Sequence, residues 1–147
     1  MSDEQSGQKN TEIDLAEKSG KKVLFNQPPI ILALDDTPFV LSFIEDVLKH
    51  KYDVRLAKTT AAAFGVLNKE TVDLILLDIE MPGMSGIEFF EQARKNLSTK
   101  YTRVIFITSH SEPEIVQQAL KLGACGYLVK PLQVSALLNK VEEVLGQ

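Results

Sequence analysis

Asp35-Asp36, Asp78, Thr108 and Lys130 each stand where a short run of apolar residues gives out, and together they amount to three carboxylates, a hydroxyl and an amine. If the fold brings them to one crevice, the like charges repel and lose hydration, so a cation must hold them ionised. One lysine is not enough, which implies a divalent ion. An all-oxygen set suits Mg²⁺, which takes a few carboxylates and keeps waters and phosphate oxygens, and no His or Cys cluster offers a zinc site. A carboxylate beside Mg²⁺, a hydroxyl and an ammonium is equipment for accepting a phosphoryl group. The carboxylate attacks in line, metal and lysine neutralise the equatorial oxygens, and the hydroxyl bonds one of them, giving an aspartyl phosphate.

The elements that must position these groups are legible as alternating strands and helices. Leu74-Ile75-Leu76-Leu77 is unbroken by polar residues, as in a strand buried on both faces. Pro82 and Gly83 end it. Ser85 and Glu88 form a capping box that starts a helix with Ile87, Phe90 and Ala93 inward. Asp78 is thereby displayed at the carboxyl end of a central strand, the edge of a parallel α/β sheet where ligands bind.

Ile30 to Leu34 reads as the first strand, followed by Thr37 as a cap and Pro38 in the first turn of a helix burying Val40, Phe43, Ile44, Val47 and Leu48. Asp53 to Ala57 is a less apolar strand, expected at a sheet edge. Thr59 to Lys69 is a helix with Ala61, Phe64 and Leu67 inward. Arg103 to Ile107 is the fourth strand, delivering Thr108-Ser109-His110. Ser111 and Glu114 suggest another capping box, with Pro113 in the first turn of a helix that Gly123 stops after Leu122. Cys125 to Val129 is the fifth strand, ending in Lys130-Pro131, and a last helix carries Val134, Leu137, Leu138, Val141 and Val144 on one face. Five βα units imply a doubly wound α/β domain with a parallel sheet and helices on both faces.

The 147 residues suit one domain. Apolar residues are 44% and charged residues 24%, an ordinary globular composition. Net charge is −4 and no helix carries a sustained Lys/Arg run, so direct nucleic-acid binding has little electrostatic support. No apolar run is long enough to span a membrane and the N-terminus lacks a signal pattern, so a cytoplasmic protein is expected. The single cysteine, Cys125, cannot form an internal disulfide, and its small, apolar neighbours predict a buried thiol. Residues 1–29 are polar and close on Asn26-Gln27-Pro28-Pro29, which reads as a solvated tail or linker before a domain at 30–147. Ile13 with Leu15, and Val23-Leu24-Phe25, interrupt that tail with apolar groups able to dock or form a short helix.

Asp35-Asp36, Asp78 within Leu-Asp-Ile-Glu-Met-Pro-Gly-Met-Ser-Gly, Thr108-Ser109 and Lys130-Pro131, in this order at successive strand ends, resemble the receiver domain of two-component response regulators, the CheY-like fold. The match runs from about residue 30 to 145. The resemblance implies a five-stranded flavodoxin-like sheet of order 2-1-3-4-5, and a phosphoryl group accepted on Asp78 from a histidine kinase or a histidine phosphotransfer protein. It implies Mg²⁺ ligated by Asp36 and Asp78 and by the backbone carbonyl of Glu80, with Asp35 close by. Lys130 would pair with the carboxylate and then with phosphoryl oxygens, across a bond to Pro131 that is often cis in the family. Thr108 and Tyr127 look like the switch pair, with the fourth helix, fifth strand and fifth helix as the surface that reports to a downstream protein target. Glu80 and His110 are not fixed by the family pattern and are expected to tune phosphoryl lifetime. Such a domain serves signalling rather than turnover of a substrate. Only Gly146-Gln147 follow the last helix, so a stand-alone or excised receiver is expected.

Three other readings fit less well. A haloacid-dehalogenase-type phosphatase wants a second Asp two residues after the first, where this chain has Thr37. A flavodoxin-like carrier would not place Asp35-Asp36 against a flavin phosphate. A receiver-like module that only binds proteins, without phosphorylation, would not need the complete set of acceptor, acidic pair, hydroxyl and lysine.

Overall fold

In the computed structural model, residues 27–109 and 112–146 are described. The tail expected over residues 1–29, apart from its last three residues, therefore lies outside the described residues, as do His110 and Ser111. The strands are β1 (Ile30–Leu34), β2 (Asp53–Ala57), β3 (Leu74–Asp78), β4 (Arg103–Thr108) and β5 (Gly126–Val129). Alternating with them are helices α1 (Pro38–Leu48), α2 (Thr60–Lys69), α3 (Gly86–Lys95), α4 (Pro113–Lys121) and α5 (Val134–Leu145). All strand pairs are parallel and the order is β2-β1-β3-β4-β5, as expected.

Alternation along each central strand divides the core into two layers, because successive side chains leave a strand on opposite faces. Leu32, Leu34, Ile75, Leu77, Val104 and Phe106 pack with α2, α3 and α4. Ile31, Ala33, Leu74, Leu76, Ile105 and Ile107 pack with α1 and α5. Every residue of β3 is buried, the physical reason its sequence shows no polar alternation. β2 is an edge strand and its exposed Asp53 and Leu56 fit that place.

Several local expectations are corrected. Thr37 occupies the cap position of α1 without capping it through its side chain; instead its N–H donates to Asp35 Oδ1 at 2.8 Å. On α2 Phe64 and Leu67 pack inward as expected, joined by Ala63, while Ala61 is exposed because helical rotation carries it off that face. On α4 the cap position is Glu112, one residue later than the predicted Ser111-Glu114 box, with no side-chain cap. Val134 is 52% exposed because it opens α5, before the helix has closed onto the sheet at Leu137. Cys125 is exposed rather than buried: its N–H bonds Val104 O where the chain enters β5, the edge strand of the sheet. The capping box at Ser85 and Glu88 is present in both directions.

Arg94, near the end of α3, ties together the turns below the sheet. Its guanidinium donates to the carbonyls of Leu122 (3.1 Å) and Thr102 (2.8 Å), with longer bonds to Thr99 and Gly123 (both 3.4 Å), and lies 4.3 Å from the Phe90 ring. A charged donor satisfying several loop carbonyls removes the need for those loops to form regular structure.

Candidate functional site

The carboxyl ends of β1, β3, β4 and β5 bring Asp35, Asp36, Asp78, Thr108 and Lys130 to one edge. β3 holds Asp78 in register with Ile107, and the next residue's N–H continues the ladder to Ile107 O at 3.0 Å. The chain then turns through Gly83, at φ +80°, and returns so that Gly86 N–H bonds Ile79 O at 2.9 Å. Gly86 is what permits that return. A Cβ there would overlap the Asp78 carbonyl oxygen and stand 2.8 Å from Ile79 Cα. No sequence reading singled out Gly86; a glycine directly after the capping Ser85 is the one signal that pointed to it.

Asp35 and Asp78 are both buried, while Asp36 is exposed. Each of the three can bring a carboxylate oxygen within 4.8 Å of the others. Asp35 Oδ1 is held by Thr37 N–H, and its Oδ2 lies 2.9 Å from Lys130 Nζ. Asp78 Oδ1 accepts from Glu80 N–H at 3.3 Å and lies 3.4 Å from the same ammonium. Asp78 Oδ2 is buried with no hydrogen-bond donor among the described residues. A buried acceptor without a donor is costly, and here it faces a site already rich in negative charge. Such an oxygen and its neighbouring carboxylates fit a hard divalent cation such as Mg²⁺.

The same crowding shows in protonation. Burial, and then the charge of Asp35, push the Asp78 carboxyl from its ordinary 3.8 up to about 6, against the pull of Lys130 and the Glu80 N–H. Burial pulls the Lys130 ammonium down, but its hydrogen bond to Asp35 and the charges of Asp78 and Asp35 outweigh this and its pKa is raised. Lys130 is therefore a firmly charged group shared between two carboxylates, nearer to Asp35 than to the expected Asp78. Lys130→Met is expected to raise the Asp78 midpoint above 6 in metal-free protein, read from the carboxyl carbon shift in an NMR titration; an unchanged midpoint would mean that the ammonium does not act on Asp78.

Lys130 is placed by its own backbone, whose N–H bonds Thr108 O at 2.7 Å, and the Lys130–Pro131 peptide is cis. Thr108 ends β4 and is 1% exposed. Tyr127 lies on β5 opposite Phe106 and is 39% exposed, with its ring at the surface. The Glu80 side chain is exposed at the rim, and its proposed companion His110 is outside the described residues. Beside Lys130 an apolar groove of about 510 Å³ opens between Phe39, Phe43, Pro131 and Leu132, and Phe39 is 79% exposed.

Comparison with known proteins identifies the family to which this fold belongs. The family model of the response regulator receiver domain matches residues 31–142. A probable cyclic di-GMP phosphodiesterase of Vibrio cholerae is 38% identical over 111 residues, 76% of this chain. This chain spans only 25% of that relative's length. Sporulation initiation phosphotransferase F of Bacillus subtilis is 31% identical over 116 residues, covering 78% of this chain and 92% of the relative. The solved structure of the chemotaxis protein CheY4 of Vibrio cholerae superposes with a TM-score of 0.76 at 30% identity, covering 80% of this chain and 98% of the other. The acidic strand-end site, the sheet order and the family match converge: the chain belongs to the receiver domains of two-component response regulators.

Proposed function

We propose that Asp78 is a phosphoryl acceptor, loaded by a histidine kinase or a histidine phosphotransfer protein in the cytoplasm, and that its modification switches a protein-binding surface. The observation that carries this reading is the Asp78 carboxylate itself: buried, with one oxygen lacking a donor, and bracketed by Asp35, Asp36 and Lys130. Asp36, Asp78 and the Glu80 carbonyl would hold Mg²⁺, with Asp35 beside them, and the bound ion supplies neutralisation of phosphoryl oxygens. A carboxylate oxygen of Asp78 attacks the phosphorus of a phosphohistidine; the P–O bond forms as the P–N bond breaks, and the imidazole leaves.

The other residues act on the charge that arrives. Lys130 shifts from Asp35 toward the phosphoryl oxygens, and the Thr108 hydroxyl donates to one of them. Movement of Thr108 vacates space that Tyr127, now at the surface, turns inward to fill, altering the face formed by α4, β5 and α5. Glu80, exposed at the rim, and His110 would tune phosphoryl lifetime by helping or blocking the hydrolytic water. Phe39 and Phe43 give the donor protein an apolar seat beside the acceptor. The domain is a signalling element, and a whole protein containing it takes its output from the partner this face selects.

Incubation with acetyl phosphate and Mg²⁺, followed by intact mass, tests the reading. One phosphoryl adduct is expected, lost on standing, absent when the metal is chelated and absent from Asp78→Asn. No adduct under conditions where Mg²⁺ binds would leave a domain that binds proteins without being phosphorylated.

A further inference from the structure

At the opposite end of the sheet from Asp78 lies a second concentration of charge, of the other sign. From Gln92 to Ser111 the sequence has no acidic residue but contains Arg94, Lys95, Lys100 and Arg103, in a chain of net charge −4. The structure adds Lys121 to this group: Arg94, Lys100, Tyr101, Lys121, Leu122 and Gly123 line a depression of about 510 Å³. Among the described residues, none of these cations is paired with a carboxylate, and every ion pair there lies elsewhere. Beside the depression Leu97 is 88% and Tyr101 85% exposed.

These are not side chains on a loosely held loop. Thr99 is buried and its hydroxyl donates to Ala93 O, the Asn96 side chain accepts from Ser98, and Arg94 holds the Thr99 and Thr102 carbonyls. A loop fixed in this way displays exposed Leu97 and Tyr101 beside Lys100, whose ammonium lies 5.5 Å from the Tyr101 ring, and near Lys121; among the described residues neither lysine has a carboxylate partner. Its complement is a short acidic segment with apolar residues interleaved.

This chain carries one. Glu12-Ile13-Asp14-Leu15-Ala16-Glu17 alternates carboxylates with apolar residues. The segment joins the domain at the right end. Ile31 is in register with Leu74, and Leu74 with Arg103, so the start of β1 and the start of β4 lie on one row, two strand spacings or roughly 10 Å apart. The residues between Glu17 and Gln27 span up to about 33 Å when extended, at about 3.3 Å each. Tethering at that distance gives an effective concentration in roughly the millimolar range, enough for a weak, charge-matched contact.

We propose that the segment Glu12–Glu17 docks intramolecularly on the Lys100, Tyr101 and Lys121 surface, with its carboxylates toward the lysines and Ile13 and Leu15 toward Tyr101 and Leu97. The contact does not depend on chemistry at Asp78. It would strap the segment across the turn from α4 to β5, the foot of the face proposed above to respond.

The exposed native Cys125, two residues beyond Gly123, allows a direct test in the full chain. With a nitroxide on Cys125, amide signals of residues 12–17 are expected to lose most of their intensity, and to regain it in about 1 M salt, where the screening length is about 3 Å. Lys100→Glu with Lys121→Glu is expected to restore the signals as well, and adding Glu12→Lys, Asp14→Lys and Glu17→Lys to that variant to bleach them again. Unaffected signals in the labelled chain would overturn the proposal. So would bleaching that disappears when the labelled chain is diluted with unlabelled protein, which would assign the surface to a second copy.

Discussion

Asp78→Asn is expected to melt on the order of 10 °C above the unaltered chain in metal-free buffer at pH 7.5. The sign follows from the direction of the shift. Asp78 titrates at about 6 in the fold against an ordinary 3.8, so the folded state binds more protons between those values and loses stability as pH rises through them. Above pH 6 the ionised carboxylate costs about 3 kcal/mol, already net of the attraction of Lys130. An amide of the same shape carries no such charge. Below about pH 4 both chains are neutral at this position and their melting temperatures should coincide. Mg²⁺ should stabilise the natural chain more than the variant, because it neutralises the charge that the variant lacks. Thermal melts across pH 3.5 to 8, with and without metal, check each part; an Asp78→Asn chain no more stable than its parent at pH 7.5 would show that the carboxylate is not strained by its surroundings.

The second large effect concerns one hydrogen atom. Gly86→Ala is expected to destabilise the domain by at least about 3 kcal/mol, since the new methyl meets backbone and neither β3 nor α3 can yield without opening the ladder. Helix propensity argues the other way by only about 1 kcal/mol and loses. Gly65 supplies the contrast within the same chain. It sits inside α2 with nothing within 4 Å of a built Cβ, so Gly65→Ala should stabilise by about 0.5–1 kcal/mol. Denaturant midpoints of the two variants must move in opposite directions. If Gly86→Ala were as stable as the parent, the close approach of α3 to the acceptor strand would be wrong.

These two cases show which parts of the molecule were legible beforehand. Local signals with a single physical reading held: the unbroken run Leu74 to Leu77, the reciprocal cap of Ser85 and Glu88, and the ends of the strands that bring the acidic residues and Lys130 together. The pattern implied a doubly wound parallel sheet, and the family resemblance carried by its strand-end residues implied the strand order that is found. What failed depended on tertiary placement. Whether Cys125 and Val134 are covered is decided by how far α5 and the edge of the sheet extend past them, and neither is a property of neighbouring residues. On α2, Phe64 and Leu67 face inward as expected, but the stripe starts at Ala63 rather than Ala61, since at about 100° per residue Ala61 falls well off the line of Ala63, Phe64 and Leu67. The closer pairing of Lys130 with Asp35, and the four-carbonyl grip of Arg94, join residues distant in sequence and left no periodic trace in it.

If Asp78 is the acceptor proposed above, its own side chain becomes an acyl phosphate. Borohydride converts an acyl phosphate to an alcohol, so protein treated with acetyl phosphate and Mg²⁺ and then reduced should carry homoserine in place of aspartate at position 78, found by peptide mass analysis. Homoserine at that position alone is the predicted result. Unreduced aspartate at 78 in protein that bears a phosphoryl adduct, or homoserine at 35 or 36 instead, would contradict it.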